Sequence, residues 1–90
     1  IPGAVNEEMV SVYPNPFTSV IGIFMTTSGA NVYTLELHDL AGRLVLSKEI
    51  YSNGGFVNTE LDLSKMESGM YQYRILQGKR TVHGGKLVKS

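Results

Sequence analysis

The chain has 90 residues, 42% of them apolar, and a formal net charge of zero, which fits one ordinary globular domain and excludes a disordered charged tail. A domain of this size buries only about 60–65% of the surface its unfolded chain exposes, so it holds one modest core and no deep cleft of the kind most enzymes need. The absence of cysteine removes disulfides, thiolate zinc sites and a cysteine nucleophile together, and with no apolar run beyond three residues the chain is expected to be soluble, any export signal lying outside it.

Nine Val, five Ile and six Thr stand against three Ala, with ten Gly and three Pro. That balance favours pleated, half-buried surface and tight turns over helix, and predicts an all-β fold. The charge is unevenly laid out. Residues 1–42 carry −4, residues 43–69 carry −1 and residues 70–90 carry +5. The basic end reads in two ways: as a solvated strand edge kept from aggregating by Lys and Arg, or as a docking surface for an acidic partner.

In chain order, residues 1–9 hold Pro2, Gly3 and the paired Glu7 and Glu8 without any period, and read as a linker from something upstream, with the domain occupying residues 10–90. Val10 to Tyr13 alternates as a short strand that Pro14-Asn15-Pro16 ends in an extended corner or edge, because each proline lacks an N–H and biases its predecessor away from the helical region. Val20 to Thr27 is a strand apolar at both parities, which suggests cover on both faces, and Ser28-Gly29-Ala30-Asn31 is its expected turn. Tyr33, Leu35 and Leu37 then share one face while Thr34, Glu36 and His38 share the other.

Asp39-Leu40-Ala41-Gly42 has the chemistry of a type I turn closed by a left-handed or bulged glycine, with Arg43 to Tyr51 as the return strand, of ambiguous parity. Asn53-Gly54-Gly55 predicts a further reversal, after which Val57, Thr59 and Leu61 alternate. Ser64 and Glu67 have capping-box spacing and predict a single helical turn terminated by Gly69, with Met66 or Leu63 tucked inward. A strand with Tyr71, Tyr73 and Ile75 on one side follows. In the last strand Val82 and Leu87 differ in parity, and a bulge at Gly84-Gly85 would reconcile them. About seven strands at roughly ten-residue spacing predict an antiparallel β-sandwich.

Little in the sequence carries chemistry. His38 and His83 lack a second ligand at metal-binding spacing, and no metal or cofactor is expected. The close acids Glu60 and Asp62 read as solvated. Gly84-Gly85-Lys86 lacks the strand, loop and helix context of a phosphate cradle. Nucleic acid is not an expected partner either, since Tyr71 and Tyr73 share the parity of Ile75 and leave no exposed stacking platform.

Four strings in a fixed order go beyond what a bare sandwich needs: Tyr13-Pro14-Asn15-Pro16-Phe17, then Leu35 to Arg43, then Asp62-Leu63-Ser64 with Ser68-Gly69-Met70-Tyr71, then Gly85-Lys86-Leu87-Val88-Lys89. Over Val10 to Ser90 this order resembles the type A C-terminal sorting domain of the type IX secretion system of Bacteroidetes. The resemblance implies an immunoglobulin-like sandwich that is an address label and not an enzyme. It implies a covalently linked upstream cargo, delivery through the periplasm to the outer-membrane translocon and its shuttle components, and removal by a cysteine-type surface sortase, leaving the cargo at the cell surface or secreted. The family's recognition motifs fall on Pro14, Asn15 and Pro16, on Gly69 and Tyr71, and on Gly85, Lys86 and Lys89. Cleavage is expected in the linker, around Gly3, Ala4 and Asn6, whose small or polar side chains a protease can take in extended form. Ser90 beyond Lys89 and the added bulk of Tyr33 depart from the family pattern. An open sheet edge also leaves an edge-strand dimer possible. The competing reading is a fibronectin-like or carbohydrate-binding accessory module, which would call for an exposed aromatic strip or an acid cluster for calcium.

Overall fold

The computed structural model describes residues 9–90, so most of the expected linker, Ile1 to Glu8 with the expected cleavage residues Gly3, Ala4 and Asn6, lies outside the described residues. The strands are β1 (Val10–Tyr13), β2 (Val20–His38), β3 (Leu44–Asp62), β4 (Gly69–Gln77) and β5 (Arg80–Lys89), and the named strands pair antiparallel throughout. β2 is the spine. One of its edges pairs β3 from Val20↔Asp62 to His38↔Leu44. Its other edge takes β1 at the start, Val10↔Met25 to Tyr13↔Gly22, and β4 at the end, Thr34↔Leu76 to His38↔Gln72. β5 lies on the far side of β4.

This pairing divides the long β2–β3 hairpin into two half-sheets. The first comprises β1, the start of β2 and the end of β3; the second comprises the start of β3, the end of β2, β4 and β5. Ile21, Ile23 and Met25 from the first half meet Tyr33, Leu35, Leu37, Tyr71, Tyr73, Ile75 and Leu87 from the second in a single buried core. Each such side chain contributes roughly 1.5–3 kcal/mol by leaving water. The expected seven strands are present as five, because two expected pairs are continuous.

The bend explains that difference. Ser28-Gly29 and Asn53-Gly54-Gly55, expected as turns, sit opposite each other inside β2 and β3, where the register shifts between Thr27 and Ala30. β2 spends two residues there and β3 spends one, Gly54. Gly54 and Gly55 take φ of 102° and 86°, which only glycine adopts cheaply, and they carry β3 from inward-facing Val57, Thr59 and Leu61 to inward-facing Ser52, Ile50 and Leu46. Inside the bend the Thr27 and Ser52 hydroxyls share a buried hydrogen bond of 2.6 Å, and Gly54 N–H donates to Ser52 Oγ at 3.0 Å. The parity of the return strand is thereby settled, with Leu44 and Val45 exposed. Val20 to Thr27 is fully covered on the core face and partly on the other, where Gly22 is buried beneath the Tyr13 ring. Val20 is exposed, and half-buried Phe24 lies on the outer face, stacked on Phe56 with ring centroids 5.8 Å apart.

The Asp39 hairpin forms as its sequence predicts. Gly42 has φ 86°, its N–H donates to Asp39 C=O at 3.0 Å, and Asp39 Oδ1 accepts from Ala41 N–H at 3.0 Å and Arg43 N–H at 2.9 Å. The expected helical turn at Ser64 does not form. Asp62 Oδ1 accepts from Ser64 N–H at 2.9 Å and Met66 N–H donates to Leu63 C=O at 3.1 Å, so an Asx turn leads into a tight turn. The carboxylate two residues upstream takes the Ser64 backbone N–H that the Glu67 side chain would accept from in a capping box. Of the two alternatives offered for the inward residue, Leu63 is buried, and Met66 is half-buried against the same core. The bulge of β5 lies at Val82 and not at Gly84-Gly85, since the register steps from Ile75↔His83 to Leu76↔Thr81.

Candidate recognition surface

The prolines of the entrance segment offer no N–H, and the peptide bonds Tyr13–Pro14 and Asn15–Pro16 are both cis. The segment leaves the first half-sheet and crosses to the last strand of the second. Asn15 makes the connection with its side chain. Its Nδ2 donates to Lys86 C=O at 2.8 Å and its Oδ1 accepts from Val88 N–H at 3.1 Å, so one amide side chain satisfies an acceptor and a donor on the strand edge. Phe17 continues the pattern with its backbone, donating to Val88 C=O at 2.9 Å and accepting from Ser90 N–H at 2.8 Å. It forms a parallel bridge with Lys89, and its ring is 1% exposed, within the core. Upstream, Tyr13 lies across Gly22, where an added Cβ would stand 2.7 Å from the ring, and its hydroxyl donates to Asn58 Oδ1 at 3.2 Å.

The motif at the start of β4 meets the same strand from its other side. Gly69 pairs with Lys89, Tyr71 with Leu87, Gln72 with Lys86 and Tyr73 with Gly85. Gly69 has φ 146° and opens β4; with no helical turn at Ser64, it is not the helix terminator expected from the sequence. Tyr71 is buried and its hydroxyl donates to Glu67 C=O at 2.7 Å. Gly85 carries no side chain because the Tyr73 ring occupies the space, a built Cβ coming within 3.0 Å of it. The Tyr73 hydroxyl lies 3.0 Å from His83 Nε2, and burial pushes its pKa above the ordinary phenol value. Ser68 Oγ donates to Ser90 C=O at 3.0 Å, which ties down the end of the described chain.

Residues 14–16, 69–71 and 85–89, far apart in sequence, therefore converge on the second half of β5. Their side chains divide by task. Asn15, Gly69, Tyr71 and Gly85 each have a structural reason to be what they are. Pro14, Pro16 and Lys86 are exposed and Lys89 half-buried, and among the described residues no carboxylate lies within ion-pair distance of either lysine. Arg74, by contrast, is held by Glu36 at 2.8 Å. The basic end thus presents amines that the fold itself does not neutralise. That Asn15 caps β5 is invisible to local sequence pattern, since its partners lie 71 and 73 residues away.

Other features carry less. A cleft of about 420 Å³ beside Tyr71 is lined by Asp39, Arg43, Lys65 and Glu67, but Asp39 and Arg43 occupy each other at 2.9 Å. Backbone hydrogen bonding from Arg43, joined by that contact, holds the Asp39 carboxyl below its ordinary pKa. Among the described residues no cluster of His, Asp and Glu could hold a metal ion. Contrary to the sequence expectation, one ring of a stacked aromatic pair is exposed. Phe56, stacked on Phe24, is 67% exposed, but this pair lies on the half-sheet opposite the one bearing Lys86 and Lys89.

The family model described as the secretion system C-terminal sorting domain matches residues 11–90. Among solved structures the chain is similar to an immunoglobulin-like protein from Pseudomonas aeruginosa, at 11% identity, with a TM-score of 0.54, covering 100% of this chain and 94% of the other. At that identity the likeness shows the fold, an immunoglobulin-like β-sandwich. No curated protein matches the chain.

Proposed function

The chain belongs to the type IX secretion system C-terminal sorting domains, and from that premise we propose that the surface built around β5 is the part of the signal the export machinery reads. The observation that carries this reading is the convergence of the entrance, the start of β4 and the terminal strand, with Lys86 and Lys89 left unneutralised by the fold. In this reading Pro14, Asn15, Pro16, Gly69, Tyr71, Gly85, Lys86 and Lys89 form the recognition surface. Asn15, Gly69, Tyr71 and Gly85 shape it, and the lysines supply charge for contact with translocon and shuttle components.

Residues 1–9 join the domain to its cargo, and a cysteine-type sortase cuts there, around Gly3, Ala4 and Asn6, once the cargo has passed from the periplasm through the outer membrane to the cell surface or beyond. N-terminal sequencing of the released domain should give a start at or before Asn6; a start within Val10 to Phe17 would contradict the linker assignment. Edge-to-edge pairing of two domains belongs in this scheme on β3, whose only strand partner among the described residues is β2. The test of the whole reading is a reporter carrying a periplasmic signal and residues 1–90 at its C-terminus, expressed in a host with this secretion system. The reporter is expected at the cell surface, and retention in the periplasm equal to that of a reporter without the domain would refute the proposal.

A further inference from the structure

A strand at the border of a sheet ordinarily exposes a row of N–H and C=O groups to which another chain can add. The second half of β5 stands at such a border, with β4 on one side, and the sequence reading treats it as an open edge. The structure shows it closed. Lys86 C=O, Val88 N–H, Val88 C=O and Ser90 N–H are each taken by Asn15 or Phe17, at 2.8 to 3.1 Å. The closing segment is anchored at both ends. Tyr13 is laid across Gly22 and bonded to Asn58, and the Phe17 ring is buried, so lifting the segment would expose a core aromatic as well as break the edge hydrogen bonds.

We infer that Tyr13 to Phe17 is a built-in edge guard, which denies the second half of β5 to strand addition and leaves side chains as the means by which a partner engages this end of the molecule. The partner chemistry is carboxylate-bearing polypeptide. Residues 70–90 carry +5 with no acid, and Lys86 and Lys89 have no carboxylate partner within the described residues. The inference deepens the export reading by stating how the surface is contacted, but its test uses the isolated chain and would stand if that reading failed.

Amide exchange resolved by nuclear magnetic resonance on the 90-residue chain provides the test. In the wild type, Val88 and Ser90 should be protected, in contrast with amides on the outer edge of β3. Asn15→Ala should speed exchange at Val88 about tenfold, the effect of losing one hydrogen bond, while Leu87, which faces β4 in the alternating pattern of the strand, keeps its protection. Unchanged methyl resonances of the buried Ile21, Ile23 and Ile75 in Asn15→Ala separate loss of the specific contact from a general loss of fold. Titration of the wild type with a hexaglutamate peptide should shift the Lys86 and Lys89 side-chain resonances without altering exchange at Val88. The edge guard is refuted if wild-type Val88 exchanges like the β3 edge, if Asn15→Ala leaves it unchanged, or if Leu87 and Val88 open together. A peptide that leaves both lysines unmoved, or that accelerates exchange at Val88, would overturn the side-chain mode of contact.

Discussion

Gly69 and Gly85 are both glycines of the signature, yet different physics fixes them. At Gly69 nothing lies within 4 Å of an added Cβ, and the constraint is a φ of 146°. Gly69→Val should therefore destabilise the domain by more than about 1 kcal/mol through backbone strain alone, as measured by urea unfolding; unchanged stability would show that the chain can enter β4 by another path. At Gly85 the constraint is the Tyr73 ring, so Gly85→Ala should move that ring and disturb its contact with His83, visible as shifts of both aromatic spin systems. Asp39 sets a pH dependence. Hydrogen bonds from the Arg43 and Ala41 backbone and the Arg43 side chain lower its pKa in the folded state, so it adds stability above the unfolded value of about 3.9 and loses that contribution as pH falls through the folded value. Thermal melts from pH ~6 down to ~2 should show a shallower acid decline for Asp39→Asn than for the wild type; parallel curves would exclude this role.

At the scale of elements, what the sequence disclosed and what it hid follow from range. Tyr33, Leu35 and Leu37 were legible as one buried face because alternation is a property of adjacent residues. The Asp39 hairpin was legible because its donors and acceptors lie within five residues. The bend was not, since positive-φ glycines serve a reversal and a bulge equally well, and only the pairing of Thr27 with Gly55 and Ala30 with Asn53 decides between them. Likewise the Ser64 spacing was misleading because Asp62 competes for the same backbone donor. The buried Thr27–Ser52 pair is the bend's polar content. Ser52→Ala leaves the Thr27 hydroxyl and the Gly54 N–H short of a partner and should cost about 1–3 kcal/mol. Adding Thr27→Val should cost less than the sum of the two single changes, because the second removes a hydroxyl that has already lost its Ser52 partner; strict additivity in a chemical-denaturation cycle would show that the hydroxyls are not coupled.

For the molecule as a whole, the entrance segment and β4 hold the second half of β5 from both sides, and Lys86 and Lys89 are left without a carboxylate partner among the described residues. The family assignment says what the domain is for, and the packing separates residues that build the surface from residues free to be read. That separation is tested most directly with Lys86→Ala and Lys89→Ala combined. Long amines at the surface add little to stability, so the double variant should lose less than about 1 kcal/mol in unfolding, while a cargo bearing it accumulates in the periplasm of a host with the secretion system. Both quantities belong to one experiment, a thermal melt of the isolated domain beside cell fractionation of the fused cargo. A near-native melt with retained cargo is the expected result; normal surface display, or a loss of export matched by an equal loss of stability, would contradict the account.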